Sequence, residues 1–440
     1  MSLGSKSGWM RVPGTTRREF CAGAAALVLT HSGLAQVQAA PPATATRPDV
    51  GAIDHDRILA AAQKYLGQTP TTLTSLECER SPGSLHDYYS EGEAETNSRI
   101  GTPERTEPSP QFFTAHRDAL FELGLAVPAL AGAHLLTGEQ RYAEHAAVWL
   151  RAWFVDAATR MTPSLDYGHV VPASAARPAP SADSGEAAPR PIGGRFEGIL
   201  ETLPLVEVAQ AIPFLVSSAA LSEGDMKALR GWFAEYLRWL TAPQDSGPRL
   251  AALARDRKDH HGTSWLLQAS AYSIVSLPEG NGPKSEDKTL EELRHRYKTV
   301  TLRAQISPDG LFPHELGSAT PYRDSLFNLD MLATVCLLLS TRFESIWDYQ
   351  LEDGPSMRSA IAYHFPFIAD RSKWPIRADV AHFNELPGRR ASLLFSARAY
   401  QRPEYAALWK TLPPDPASPE VLRTLPIHQP LLWVRQPPRA

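Results

Sequence analysis

Cysteine is scarce in this chain, with three in 440 residues, so no dense disulfide framework holds it together. Charge of one sign is also missing: the formal net charge is -4, which leaves no basic face for nucleic acid or a polyanion. An anionic ligand would have to be met by local cations or hydrogen-bond donors. Runs of alternating β-branched residues are absent, which argues against a large sheet. The fourteen histidines include no His-Glu-x-x-His or clustered Cys/His pattern, so no metal is expected. A Gly-x-Ser-x-Gly elbow, a P-loop and a dinucleotide fingerprint are likewise missing, and no cofactor is implied.

Proline, in contrast, is plentiful at 38 residues. With 43% hydrophobic and 21% charged residues, the chain has the composition of a soluble globular protein with a sizeable core. Thr16-Arg17-Arg18-Glu19-Phe20 is a twin-arginine pattern. It precedes the short apolar run Cys21–Leu29 and small-x-small sites at Gly33-Leu34-Ala35 and Val37-Gln38-Ala39. That run is too short to span a bilayer. Residues 1–39 therefore read as an export signal for a folded protein, with a periplasmic or secreted destination and no stable membrane association after cleavage. Cys21 leaves with the signal; Cys78 and Cys336 could bridge in an oxidising compartment, but two independent buried thiols are the favoured expectation.

Residues 40–53 read as a linker, 54–430 as one domain and 431–440 as a C-terminal tail. Apolar residues at i, i+3, i+4 spacing predict helices over Phe112–Thr137, Tyr142–Phe154, Ile199–Ser217, Ser222–Leu240 and Ser264–Ser276. The same spacing predicts them over Leu290–Ile306, Tyr322–Leu339 and Met357–Ile368. Ser222-Glu223-Gly224-Asp225 is a helix start, with Ser before an acidic first turn. Paired helices without repeated sequence point to an all-α solenoid or a toroid of helical hairpins. The Trp residues at 149, 153, 232 and 239 sit at helical spacing and read as core. Val171–Ile192, rich in Ala and Pro, is the one long interruption, a lid or a solvated insertion.

Five segments, in order, carry chemical information. They are His86-Asp87-Tyr88-Tyr89-Ser90-Glu91-Gly92, Leu150–Phe154 with Thr159–Leu165, Lys258-Asp259-His260-His261-Gly262-Thr263, Asp309–Leu316, and Ser325-Leu326-Phe327-Asn328-Leu329. Together they resemble the alginate lyase family of polysaccharide lyases. The resemblance implies an (α/α) toroid with a cleft across one end, acting on an acidic polysaccharide or oligosaccharide by β-elimination. In that reaction a donor neutralises the uronate carboxylate, a base removes the C5 proton, and an acid protonates the leaving O4.

Carried over residue by residue, His261 matches the family histidine, while His260 stands where the neutralising Asn is expected and Asp259 where the preceding Asn would be. Asp259 should raise the pKa of either neighbouring histidine, and adjacent histidines should point different ways. Ser318 occupies the family's Arg position and Asp324 its Tyr position. One reading re-registers the loop, so that Tyr322 and Arg323 supply the missing pair. A two-residue shift on a helix turns a side chain by about 200°, so this needs Tyr322 to precede the helix. The other reading makes Asp324, with Asp259 or Glu315, the carboxylate set of a glycoside hydrolase. Glu315 also belongs to the usual family pattern.

Tyr88, Tyr89 and Glu91 are candidates for a sugar subsite, because aromatic faces stack on sugar rings. His169 and Arg195 flank the Pro-rich interruption and are candidates to reach the cleft. The leading expectation is a secreted lyase-like enzyme on a uronate-containing glycan of the alginate or glucuronan type. His261 would be its catalytic histidine, His260 its carboxylate partner, and Tyr322 with Arg323 its displaced acid/base and electrostatic helper. A hydrolase on the same scaffold and a catalytically inactive carbohydrate-binding protein are the alternatives.

Overall fold

The computed structural model describes residues 48–93, 112–172, 193–243, 249–278 and 287–437. The twin-arginine segment, Cys21 and residues 173–192 of the Pro-rich interruption lie outside them.

The helices alternate between two layers in chain order. Amphipathic α1 (His55–Tyr65) packs on α2 (Ala115–Thr137), and α3 (Gln140–Phe154) packs on α2 from the other side in sequence. Next come α4 (Leu205–Leu215), α5 (Glu223–Thr241), the short α6 (Arg249–Arg255) and α7 (His260–Ser276). Then follow α8 (Lys288–Arg296), α9 (Pro321–Leu339), α10 (Met357–Ala369), α11 (Ala391–Tyr400) and α12 (Pro403–Thr411). The inner row runs α2, α4, α7, α9, α11, each against the next, with α1, α3, α5, α8, α10 and α12 outside it. That is the architecture of an (α/α) toroid. Inner helices are apolar nearly all round and are buried accordingly: α7 hides every side chain from His261 to Ser273. α1, α3, α5 and α8 instead show one apolar face.

Local signals set the helix ends. Ser222 and Asp225 form the reciprocal capping box that starts α5. Gly138, at φ 71, ends α2 in the left-handed conformation that glycine adopts freely. The helix predicted over Leu290–Ile306 is interrupted. A π turn at Tyr297–Thr301 separates α8 from a last turn, Leu302–Gln305. The α9–α11 contact is fastened by a fully buried ion pair, Arg390 to Asp330 at 3.1 Å, with Ser392 donating to the same carboxylate.

Two boundaries differ from expectation. Val50–Ile53 already forms a helical turn capped by Asp49, so the expected linker ends earlier. Leu431–Val434 is a helical turn packed on α2 and α4, with Leu431, Leu432 and Trp433 buried, so the expected tail begins inside the fold. Glu207 of α4 holds that turn by accepting from the Trp433 indole at 3.1 Å and from two backbone N–H groups. Cys78 and Cys336 are both free thiols. Residues 115–137 and 196–218 are long and apolar enough to cross a membrane by length and composition, but most of each is packed inside the toroid.

A two-stranded parallel ribbon is the only sheet among the described residues. β1 (Tyr89–Glu91) pairs with β2 (Tyr167–Val170), Tyr89 opposite Tyr167 and Glu91 opposite Val170. A 3₁₀ turn, Phe196–Leu200, packs against β2 on one side and against α6 and α7 on the other. It joins the ribbon to the start of α7, where the chemistry-bearing residues gather.

Candidate active site

The sequence Asp259-His260-His261-Gly262 builds the first turn of α7. Asp259 is the N-cap, and its Oδ1 accepts from the His261 backbone N–H at 3.1 Å. Gly262 is required by space, because a Cβ there would lie 2.2 Å from the Arg257 carbonyl oxygen. The chain can therefore fold back tightly beneath the two histidines.

Those histidines do not diverge. Their rings stack with centroids 4.3 Å apart and planes 30° from parallel. Each is tied at Nδ1 to a different carboxylate. His261 Nδ1 lies 3.0 Å from Asp259 Oδ1, and His260 Nδ1 lies 2.8 Å from Glu315 Oε2. Glu315 Oε1 also accepts from the His260 backbone N–H at 2.7 Å and from the Asn328 amide at 2.8 Å. Arg257 grips the other oxygen of Asp259 with its Nε at 2.9 Å. Gln305, at the end of the π-interrupted segment, links the layers by donating to the Asp259 carbonyl and accepting from Asn328, each at 2.8 Å. Phe196 closes one side, edge-on to His261 at 5.1 Å, with the Arg257 guanidinium over its face at 4.5 Å.

This wiring gives the two rings opposite charge states. Burial disfavours the charged form of His260, but the Glu315 carboxylate, with Asp324 and Asp259 behind it, overrides that and lifts its pKa to about 10. For His261, burial and the neighbouring His260 charge act together and outweigh Asp259, pushing its pKa down to about 4. Asp259 was expected to raise both, and the adjacent cation reverses the outcome at His261. Asp259 itself is pressed upward by burial, yet the His261 hydrogen bond and the surrounding cations hold it far below the carboxylate range. At neutral pH, His261 is a neutral imidazole whose Nδ1–H is donated to Asp259. Its Nε2 carries a lone pair that no described residue occupies.

Asp324 faces the same cluster from α9. Its Oδ2 accepts from Thr320 at 3.1 Å and its Oδ1 from Arg323 at 2.8 Å. Burial would raise its pKa, but Arg323 and then His260 keep it ionised. Ligand-capable atoms of His260, Glu315 and Asp324 lie within 4.8 Å of one another. Their oxygens are already committed to these donors, and Arg323 places a cation where a metal would add a second.

Tyr322 is elsewhere. α9 starts at Pro321, so Tyr322 sits inside the first helical turn rather than before it. It is fully buried, donates its hydroxyl to the Phe367 carbonyl at 2.9 Å, and packs on Trp374 and Phe383. The expectation that it takes the acid/base role is corrected here: its hydroxyl has a structural partner and burial pushes its pKa well above the usual tyrosine value. Arg323 remains beside the cluster as the partner of Asp324. The N-terminus of α9 is held by Asp379, which accepts from the Tyr322 and Arg323 backbone N–H groups at 2.8 and 2.9 Å.

The proposed hydrolase carboxylates are also spent. Asp259, Glu315 and Asp324 each have both oxygens engaged, and Glu315 and Asp324 converge on one imidazole rather than flanking a groove.

Tyr88, Tyr89 and Glu91 are not a sugar platform. All three are buried. Tyr88 donates to Glu201 at 3.0 Å and Tyr89 to Glu91 at 2.6 Å, while Arg80 binds Glu91 at 2.6 and 2.7 Å. His169 completes this group, with Nδ1 3.1 Å from Glu201 and Nε2 2.8 Å from the Glu93 carbonyl. Gly92 is needed beneath it, since a Cβ there would fall 2.3 Å from the imidazole. Arg195 pairs with Glu197 at 2.9 Å on the 3₁₀ turn that also carries Phe196. Sequence reasoning had passed over Arg257, Gln305 and Phe196 beside the histidine pair, and Asp379 and Glu201, which hold the start of α9 and the ribbon. Arg257, two residues before the N-cap, was the one with a local signal.

The family model described as Alginate lyase matches residues 72–374 of the chain. An alginate lyase from Bacteroides ovatus is similar in structure over 88% of this chain and 94% of its own, at 23% identity and a TM-score of 0.67. Alginate lyase A1-III from Sphingomonas species A1 covers 82% of this chain and 87% of its own, at 14% identity and a TM-score of 0.45. No curated protein matches in sequence.

Proposed function

The chain belongs to the alginate lyase family and is a polysaccharide lyase of that type, and on that premise we propose that it cleaves a uronate-containing glycan by β-elimination through His261 and His260. The observation that carries this reading is the stacked histidine pair, tied at Nδ1 to separate carboxylates at 3.0 and 2.8 Å. One ring is a base and the other a cation at the same pH.

His260, protonated, meets the sugar carboxylate and makes the C5–H acidic by stabilising the enolate-like charge that develops there. His261 Nε2 removes the C5 proton. The electron pair forms the C4=C5 double bond, the C4–O4 bond breaks, and the leaving oxygen needs one proton. The His261 imidazolium just formed holds that proton, and returning it to O4 closes the balance without a tyrosine. Asp259 keeps the proton on His261 Nδ1 before the step and stabilises the imidazolium after it. Arg323 keeps Asp324 ionised, and Asp324 in turn favours charged His260.

The twin-arginine pattern supports export in folded form to the periplasm or beyond, which a reporter fused behind residues 1–39 would test by its location. The chemistry is tested by ultraviolet absorbance of the purified protein with alginate, glucuronan and other uronans. A growing unsaturated-uronate signal that falls by about 100-fold or more in His261→Ala is expected. Signal of equal size in the variant would remove His261 from the reaction.

A further inference from the structure

A cavity of about 510 Å³ opens between the loop after α3, the segment before β1 and one face of α5, a size that suits a small ligand. Every residue lining it belongs to the described part of the chain. Among the described residues, none of them shares a hydrogen bond or ring contact with His260, His261 or their carboxylates. Three hydrogen bonds fix its walls. The Thr162 backbone N–H donates to the His86 carbonyl at 2.9 Å, and His86 Nδ1–H donates to the Arg160 carbonyl at 2.8 Å. The Trp232 indole donates to the Met161 carbonyl at 2.7 Å. The cavity is preformed, and its apolar lining of Phe154, Met161 and Trp232 is buried.

α5 contributes Ala228 and Gly231 to the lining. Glycine in the interior of a 19-residue helix is destabilising relative to alanine. Packing does not call for it here. A Cβ at Gly231 would meet no atom within 4 Å, whereas one at Gly262 would strike a carbonyl oxygen at 2.2 Å. The fold has no use for the missing side chain, but the cavity does, because it keeps the space open.

The polar groups around that space are suited to a sugar acid. Arg160 is exposed and has no carboxylate partner among the described residues. His86 spends Nδ1 on the Arg160 carbonyl, which leaves Nε2 unpartnered among the described residues. Ser84 adds a hydroxyl, and Glu235, only loosely paired with Arg238 at 3.8 Å, adds acceptors. One cation for a carboxylate, donors and acceptors for hydroxyls, and an apolar wall stand together.

We propose that this cavity is a second glycan-binding site, which holds a uronate unit of the polysaccharide away from the point of cleavage. The carboxylate meets Arg160, and the hydroxyls meet His86, Ser84 and Glu235. The choice of a uronate rests on the elimination reading above; the cavity, the glycine and the unpaired arginine stand without it. A polymer held here is kept at high effective concentration near the histidine pair.

The test is native electrophoresis of the protein through gels containing alginate, glucuronan or an uncharged glucan, with His261→Ala as background to prevent turnover. Retardation by a uronan is expected, weakened about fivefold or more by Arg160→Ala and by Gly231→Leu. Leucine fills the cavity and favours helix, so Gly231→Leu should melt no lower than its parent, which separates a filled site from a damaged fold. Equal retardation of parent and both variants would overturn the site. Equal retardation by the uncharged glucan would overturn its assignment to a uronate. The ultraviolet assay keeps this proposal apart from the elimination itself. With His261 restored, both variants should raise KM on the polymer by about threefold or more, and on a trisaccharide by less than about twofold. An equal rise on the trisaccharide would make the cavity part of the catalytic cleft and overturn its independence. Retardation that both variants weaken, with no ultraviolet signal from the parent on any uronan, would sink elimination and leave the second site standing.

Discussion

His169 and His261 each lean on a buried carboxylate, and both sit next to the same 3₁₀ turn, yet they serve opposite ends. His169 has both ring nitrogens engaged, Nδ1 with Glu201 at 3.1 Å and Nε2 with the Glu93 carbonyl at 2.8 Å. Burial weighs against its charge, but Glu201 prevails and raises its pKa, so it is a clasp with nothing left to offer. His261 has one nitrogen engaged, and its charged neighbour His260 drives it neutral. An imidazole–carboxylate contact therefore does not identify a catalytic histidine. What sets the proposed base apart is its free edge and the charge of the next ring.

The largest effect expected from disturbing this contrast is in Asp259→Asn. The amide preserves an N-cap for α7 but no longer fixes the His261 tautomer, so kcat should fall by about 100-fold or more with the fold retained. A kcat within a few fold of the parent would show that the dyad is structural, like its counterpart. Breaking the counterpart should do the reverse. Glu201→Ala strands buried His169, Tyr88 and Ser90 and should cost about 3–5 kcal/mol in thermal or denaturant unfolding, with kcat per folded molecule little changed. Loss of kcat at full stability would move the ribbon cluster into the chemistry.

Tyr322→Phe is a smaller perturbation. It removes one hydrogen bond to Phe367 and should cost about 1 kcal/mol of stability while kcat stays within about twofold. A collapse of kcat without loss of stability would return Tyr322 to the acid/base role. pH should separate the two rings without mutation. In the proposed mechanism kcat/KM requires neutral His261 and charged His260, so it should fall below about pH 4 and above about pH 10, with a plateau between. Linkage gives the matching sign for stability. The folded pKa of His260 is raised, so its contribution is complete below its ordinary value and is lost as pH rises through about 10.

Much of the fold was legible because helical burial writes a 3.6-residue period into the sequence. α3, α5 and α10 lie close to their predicted spans, and Ser222-Glu223-Gly224-Asp225 announced its cap outright. α11 and α12 passed unnoticed, since α11 is short and buried on most sides and shows little contrast between faces. The site was legible only in part. His260, His261 and Glu315 were found because they are close in sequence or stand in a recognisable segment. Tyr322 was misjudged because its fate is decided by Phe367, Trp374 and Asp379, which reach it from other elements. The downward shift at His261 was equally hidden, as it depends on stacking with His260 and on burial beneath Phe196.

The central claim is that two adjacent, stacked histidines hold opposite charge at one pH. Nitrogen-15 NMR of imidazole-labelled protein, with His260→Gln and His261→Gln for assignment, reads this directly. His261 should appear at pH 7 as the neutral Nδ1–H tautomer, titrating near 4, while His260 stays a cation to about pH 10. Two rings titrating together near the ordinary histidine value, about 6.5, would contradict the account.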